Sequence, residues 1–129
     1  MTFTKQIFKF FLFSSLLCII SCSKEDNSYL YGKWQAIELQ EDGQVIDVPL
    51  DEISFSFDDK GIYTFTSTLN YREAGNFVIE TPYLYTIDTL NNASTEKTVE
   101  LIKKSLDTIV IKMEQVGKER LLRLAKASE

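Results

Sequence analysis

The sequence has 129 residues, of which 44% are hydrophobic and 26% are charged. These proportions are ordinary for one folded domain and exclude a disordered or fibrous chain. The formal net charge is −5. Because an acidic protein repels the phosphates of nucleic acids, the sequence predicts no nucleic-acid partner.

The N-terminal segment has the composition of a signal peptide. Residues 1–21 contain Lys5 and Lys9 but no acidic residue, and residues 10–20 form a largely apolar run. A transmembrane helix needs roughly 17–25 apolar residues, so this run is too short to cross a bilayer. We therefore predict a signal peptide over residues 1–21. Its removal lowers the net charge from −5 to −7, because both lysines leave with it.

Cys22 follows this segment in a recognisable context. The run Ile19-Ile20-Ser21-Cys22 resembles the lipobox of bacterial lipoproteins, in which a small residue precedes the cysteine that receives a diacylglycerol. The resemblance implies that Cys22 is lipidated and becomes the first residue of the mature chain, with residues 22–28 as a polar tether. One lipid chain binds a membrane only marginally, at ~0.8 kcal/mol per buried CH₂, whereas several chains on one cysteine bind firmly.

The implied location is the outer membrane of a Gram-negative bacterium. Lys24-Glu25-Asp26 is similar to the export tag of surface lipoproteins, and the choice between the periplasm and the cell surface stays open. Cys18, the other cysteine, lies in the predicted signal peptide. The mature chain therefore has no partner for an internal disulfide, and its stability must come from packing.

The first part of the domain is predicted to form a strand with a change of phase. Residues 29–40 are rich in aromatic and branched side chains, but Trp34 and Ala36 alternate on one face whereas Ile37 and Leu39 lie in the opposite phase. One strand buries both sets only with a bulge, which we expect within residues 36–38. Residues 41–44 then form a turn, and residues 45–48 form a short strand that ends at Pro49.

A run of further strands follows. Residues 53–57 and 62–68 are predicted to form a hairpin around Asp58–Gly61, with Ile53, Phe55 and Phe57 on one face. Residues 71–74 are interpreted as a loop, and strands are predicted over residues 76–80 and 83–89, the latter with Tyr83 and Tyr85 in phase.

The C-terminal part contains one ambiguous segment. Residues 96–104 have a helix-forming composition, but the alternation of Val99 with Leu101 favours a strand. Strands over residues 109–114 and 120–126 close the chain. About eight short strands with tight turns predict an all-β fold, an antiparallel up-and-down meander closed into a small barrel. The interior of such a barrel is filled by side chains or holds one small ligand.

The domain over residues 29–129 resembles the small lipocalin-like domains of bacterial lipoproteins. Gly32-Lys33-Trp34 matches the Gly-x-Trp signature of their first strand, and the turn from Phe57 to Tyr63 is similar to their recurring hairpin. The resemblance implies that Trp34 plugs the closed end of the barrel and that a basic residue near the last strand packs over its ring. We assign that role to Arg123, with Arg120 as second choice.

The sequence contains no recognisable catalytic or metal-binding constellation. Histidine is absent, and the adjacent acidic pairs such as Asp58-Asp59 have the spacing of turns rather than of a calcium site. We therefore predict no catalytic residue, no metal and no cofactor, and a protein that is not an enzyme.

Two functions remain open at this point. The first is a membrane-anchored binding protein whose barrel holds a small apolar or amphipathic ligand. Its candidate lining residues are Phe55, Tyr63, Phe65, Phe77, Tyr83 and Tyr85. The second is a packed barrel that acts through its outer surface as a scaffold, inhibitor or subunit bound to a protein partner. A cavity of roughly 300 Å³ or more would favour the first function.

Overall fold

The computed structural model describes residues 26–91 and 95–127. The predicted signal peptide and Cys22 lie outside these residues. The described residues form nine strands and three short 3₁₀ helices, Ser28–Leu30, Leu50–Glu52 and Thr68–Asn70. The strands are β1 (Gly32–Glu41), β2 (Gln44–Val45), β3 (Ser54–Phe57), β4 (Ile62–Thr66), β5 (Arg72–Glu80), β6 (Tyr83–Asp88), β7 (Glu96–Lys104), β8 (Thr108–Gln115) and β9 (Lys118–Lys126).

Eight of these strands close into a barrel. Each of β3 to β8 pairs antiparallel with the next strand along the chain, and β1 pairs with both β3 and β9. Closure leaves no open edge in the barrel itself, and β2 is a short addition beside the end of β1. The predicted all-β, antiparallel, up-and-down barrel is confirmed. Within the described ranges, no helix has the length and apolarity needed to cross a bilayer.

The predicted bulge in β1 is confirmed. The register between β1 and β9 shifts between Ala36 and Glu38, so that Ile37 is left on the outside, 48% exposed. Trp34 and Ala36 before the bulge and Leu39 after it are all buried. The extra residue therefore changes the phase of the strand and lets both apolar sets face the interior.

The β3–β4 hairpin is confirmed, and its turn is held by one side chain. The Asp58 carboxylate accepts hydrogen bonds from the backbone N–H groups of Lys60 and Ile62, each at 2.9 Å. Gly61 adopts a φ of +80°, a conformation that side chains with a Cβ rarely take. Ile53, Phe55 and Phe57 are all buried on one face, as predicted.

Three further segments were predicted from the sequence, and the structure confirms one of the predictions and corrects two. Residues 96–104 form a strand rather than a helix, as favoured. Residues 72–74 belong to β5, so the interpretation of residues 71–74 as a loop was wrong apart from Tyr71. The strand predicted over residues 45–48 is reduced to the two-residue β2, because its pairing with β1 ends at Val45.

The barrel has a closed end and an open end. Trp34 lies near the closed end, where the Ser28–Leu30 helix covers the interior. The indole Nε1 of Trp34 donates a 2.8 Å hydrogen bond to the Leu30 carbonyl, and both residues are fully buried. The open end lies where β4, β6 and β8 end and β5, β7 and β9 begin. The closed half is therefore filled by the side chains of core residues such as Trp34 and Leu30.

Candidate functional site

A cavity of about 580 Å³ occupies the open half of the barrel. Four buried apolar side chains line it: Leu39 of β1, Ile53 just before β3, Leu84 of β6 and Leu122 of β9. This volume falls within the range of roughly 300–1,000 Å³ that is typical of small-molecule sites. The interior is therefore not filled by side chains alone.

One side of the cavity is aromatic. Phe55 of β3 and Phe65 of β4 are cross-strand partners whose ring centroids lie 4.4 Å apart. Tyr71, just before β5, meets the Phe65 ring edge-on at 6.3 Å. Cross-strand aromatic pairs present flat apolar surface at a small cost in conformational entropy. This wall suits a ligand with a flat or aromatic body.

A buried carboxylate lies beside this wall. Glu73 of β5 is 6% exposed, and its Oε1 accepts a 3.1 Å hydrogen bond from the Tyr63 hydroxyl. Its Oε2 accepts a 2.6 Å bond from the Tyr71 hydroxyl and a 2.5 Å bond from the ammonium of Lys97 in β7. A buried charge is tolerated only when it is paired and hydrogen-bonded, and this one is both.

These contacts shift the acid–base properties of the cluster. Burial raises the pKa of the Tyr63 phenol, and the nearby charge of Glu73 adds to the rise. The hydrogen bond to Glu73 raises the pKa of Tyr71. Desolvation lowers the pKa of Lys97, but the hydrogen bond and charge of Glu73 outweigh it, so that the pKa is raised overall. At neutral pH the phenols of Tyr63 and Tyr71 are therefore neutral, and the amine of Lys97 is charged.

A second ion pair lies at the rim of the cavity. Arg120 of β9 donates to Oε2 of Glu41 at 3.1 Å, and Lys118 donates to Oε1 of the same carboxylate at 2.9 Å. The hydrogen bond from Lys118 is the largest of the effects that lower the pKa of Glu41. Arg120, the second choice for the residue over Trp34, lies here at the opposite end of the barrel.

The predicted lining residues divide into two groups. Phe55, Tyr63 and Phe65 line the cavity. Phe77 does not, because it is buried against Phe57 at a ring-centroid distance of 5.1 Å. Tyr83 and Tyr85 do not line it either.

The assignment of Tyr83 and Tyr85 is corrected by the parity of β6. The residues of β6 that face the interior are Leu84, Thr86 and Asp88, all buried. The two tyrosines alternate with them and lie on the outer face, where Tyr83 is 43% exposed. The tertiary structure reverses the apparent hydrophobic phase because Thr86 and Asp88 both have polar partners, Tyr63 in the interior and Asn91 at the end of β6 respectively.

The cation over Trp34 is Lys126 rather than Arg123. The Lys126 Nζ lies 4.8 Å from the centroid of the indole and donates hydrogen bonds to the carbonyls of Tyr29 and Tyr31. Leu122, Leu124 and Lys126 share the inward parity of β9, which places Arg123 on the outer face. The predicted pair of Trp34 with Arg123 is corrected for this reason.

Glu73 and Lys97 were missed at the level of sequence, although both carry a signal. Glu73 has the same parity as Phe77 in β5, and Lys97 has the same parity as Val99 and Leu101 in β7. A charged residue in phase with a buried row is unusual unless it has a partner inside. The parity of the two strands therefore predicts that Glu73 and Lys97 both face the interior and pair with each other.

The site shows no metal-binding arrangement. Across residues 26–91 and 95–127, no group of three or more histidine, cysteine, aspartate or glutamate side chains is placed to hold an ion. Glu73 has neighbours that donate to it rather than further carboxylates. The geometry supports binding of a small molecule better than it supports ion binding.

The fold defines a class of protein, that of lipocalin-like barrels. A lipocalin-like protein from Bacteroides uniformis superimposes with a TM-score of 0.60 at 18% identity, covering 77% of this chain and 99% of that one. An uncharacterized protein from Bacteroides eggerthii gives a TM-score of 0.51 at 18% identity, covering 73% of this chain and 98% of that one. No family model matches the sequence, and no curated protein matches it. At such low identity these likenesses show the fold alone.

Proposed function

We propose that this protein is a lipid-anchored, non-enzymatic binding protein that holds one small amphipathic ligand inside its barrel. The observation that supports ligand binding is the cavity of about 580 Å³ with an aromatic wall and a paired charge cluster. A mostly apolar pocket with a few convergent polar groups is the usual form of a small-molecule site.

The anchoring part of the proposal rests on the sequence of the leader. The lipobox-like run ending at Cys22 and the polar residues after it support attachment to the outer membrane of a Gram-negative bacterium, facing the periplasm or the cell surface. The described domain begins a few residues later, at the Ser28–Leu30 helix. A short tether would keep the barrel next to the membrane.

Native mass spectrometry of the protein, purified without denaturation, tests ligand binding directly. We expect a bound small molecule that is released when the protein unfolds. Val99→Trp, which fills the cavity from β7, should abolish its retention. Val78→Trp is the matched control, because Val78 is 57% exposed on the outer face of β5. Equal retention by both variants, or no bound molecule in any preparation, would overturn the proposal.

A second candidate function, docking to a protein partner, is supported by the outer face of β5 and β6. On this face Val78 lies opposite Tyr85, and Ile87 lies opposite Asn76. Val78, Tyr85 and Ile87 are therefore apolar neighbours on the outer surface. Val78 and Ile87 are 57% and 40% exposed. If this face binds a partner, Val78→Glu should weaken that complex, whereas Val99→Trp should leave it intact.

A further inference from the structure

The Lys97 ammonium has hydrogen-bonding capacity that its neighbours do not use. It donates to Glu73 Oε2 and also interacts with the Tyr71 oxygen. An ammonium carries three protons, so at least one remains for another acceptor. The Lys97 side chain is 47% exposed and lines the cavity, which leaves that proton available to a bound molecule.

The other polar groups of the cluster cannot fill this role. The hydroxyl protons of Tyr63 and Tyr71 are both donated to Glu73. The Glu73 carboxylate accepts three hydrogen bonds within 3.1 Å and is almost fully buried. Within the Glu73 cluster, the ammonium of Lys97 is therefore the donor that is left for a ligand.

The charge around the cavity disfavours an anionic ligand, and Glu114 adds a further carboxylate to the lining. The two cations that line it, Lys97 and Arg120, are each already paired with a carboxylate, Glu73 and Glu41. A ligand carboxylate would give up its hydration and find no cation without a counter-charge. A neutral oxygen acceptor loses much less hydration free energy when it enters the cavity. It still accepts a hydrogen bond from the unused N–H of Lys97.

Building on the proposed function, we propose that the ligand is an uncharged molecule with an apolar, flat body and a carbonyl or hydroxyl oxygen that binds Lys97. The body lies against the rings of Phe55 and Phe65. Glu73 acts as a positioning residue, because it holds the ammonium at the cavity wall and cancels its charge.

Three fluorescent probes test this class of ligand with the full chain. Prodan is neutral and has a carbonyl, N-phenyl-1-naphthylamine is neutral and has none, and 8-anilinonaphthalene-1-sulfonate is an anion. We expect the unmodified protein to bind prodan at least tenfold more tightly than the anion. Comparable or tighter binding of the anion would overturn the inference.

Lys97→Gln isolates the proposed hydrogen bond. We expect it to weaken prodan binding by about tenfold, the effect of losing one hydrogen bond to a charged group. The emission of bound prodan should also shift to the blue, because hydrogen bonding to its carbonyl shifts emission to the red. Binding of N-phenyl-1-naphthylamine should change less than twofold. Unchanged affinity and emission of prodan would contradict the role of Lys97.

Glu73→Gln tests the counter-charge. With the carboxylate removed, the Lys97 ammonium gains a net charge inside the cavity, so binding of the anionic probe should strengthen by tenfold or more. The double variant Glu73→Gln, Lys97→Gln is neutral again and should lose this gain. Lys112→Gln, on the outward parity of β8, should leave all three affinities unchanged. Anion binding that does not respond to Glu73→Gln would sink the positioning role.

The results separate this inference from the proposed function. Binding of all three probes without discrimination, but abolished by Val99→Trp, would leave the cavity as a binding site and overturn only the neutral-acceptor class. Failure of every probe to bind would overturn both. If either single variant does not fold, the double variant Glu73→Gln, Lys97→Gln still decides the role of the Lys97 hydrogen bond, because it removes both charges of the buried pair together.

Discussion

Lys126 shows how one side chain closes the end of this barrel. Its ammonium lies over the Trp34 ring and binds two carbonyls of the N-terminal segment, so it joins the last strand to the first turn of the domain. Gly32 makes room for it, since a Cβ there would lie 3.0 Å from Lys126 Cε. In the Gly-x-Trp signature, the glycine therefore leaves space for the Lys126 side chain, and the tryptophan supplies the buried indole.

Lys126→Met should destabilise the protein by about 2 kcal/mol, because it removes a cation–π contact and hydrogen bonds from a charged donor. The matched control is Arg123→Met on the outer face of the same strand, which should change the free energy of unfolding by less than about 0.5 kcal/mol. Urea denaturation of both variants measures the difference. A larger effect at Arg123 would restore it as the closing residue.

The cluster around Glu73 predicts a loss of stability at alkaline pH. The folded-state pKa values of Tyr63, Tyr71 and Lys97 are all raised. The folded protein therefore holds these protons more tightly than the unfolded chain, and their stabilising contribution is complete below the unfolded-state pKa values of about 10. It is lost as the pH rises further, through the folded-state values.

Tyr63→Phe removes one of these groups and should make the decline less steep. The free energy of unfolding, measured in urea at several values between about pH 9 and pH 11, should fall more slowly in the variant than in the unmodified protein. Tyr31→Phe, at a tyrosine 36% exposed and away from Glu73, is the control. Parallel curves for Tyr63→Phe and the unmodified protein would contradict the assignment.

At the scale of elements, β5 is packed closely between β4 and β6 at Gly75. Tyr63 of β4 and Asp88 of β6 both pair with Gly75, and the pairing with β6 continues one residue further, where the Thr89 N–H donates to the Ala74 carbonyl at 2.8 Å. This close approach needs a residue without a side chain. A Cβ on Gly75 would lie 1.8 Å from the Ile87 carbonyl oxygen.

Gly75→Ala should therefore force β5 and β6 apart and cost about 3 kcal/mol or more, at the upper end of the effects of overpacking. Gly43→Ala is a matched control, since a Cβ at Gly43 meets nothing within 4 Å and only its φ of +84° is unfavourable. It should cost about 1 kcal/mol. Thermal and urea unfolding compare the two, and similar losses would mean that the contact with Ile87 is readily relieved.

The two bulges show how the elements adapt to closure. The registers of β1 with β9 and of β7 with β8 shift at Ile37 and Ile102, and both isoleucines are left about half exposed. An extra residue increases the local twist and bends a strand, as a small closed barrel requires. Apolar residues at these positions are therefore not part of the core, although their type alone would place them there.

At the scale of the whole molecule, the barrel is filled by side chains at its closed end and contains the cavity toward its open end. Trp34, Leu30 and Ile109 fill the closed half completely, with no exposed surface. The cavity takes the other half and opens among the turns. The cavity wall shares residues such as Leu84 and Leu122 with the core, so substitutions there also affect stability.

Membrane attachment is the property of the whole molecule that Cys22 would control. Cys22→Ser should move the protein from the membrane fraction to the soluble fraction, because several acyl chains are needed for stable anchoring. Cys18→Ser, within the predicted signal peptide, should leave attachment unchanged. Fractionation with metabolic labelling by a fatty-acid analogue measures both, and continued labelling of the Cys22→Ser protein would exclude Cys22 as the anchor.

The sequence by itself determined the fold class, the β3–β4 hairpin and the bulge in β1, and it favoured a strand over a helix for residues 96–104. These features follow from local alternation and turn chemistry, which depend on residues close together in the chain. The prediction that Phe55, Tyr63 and Phe65 face inward succeeded for the same reason.

Only the tertiary structure decided the inner face of β6, the inclusion of residues 72–74 in β5 and the choice of Lys126 over Arg123. In each case a polar side chain is inside because a distant residue pairs with it, as Lys97 pairs with Glu73 across 24 positions. Burial of a charge depends on whether its partner is present, and closure of the barrel is what brings the partners together. Hydrophobic alternation alone does not identify which distant residue pairs with a buried polar side chain.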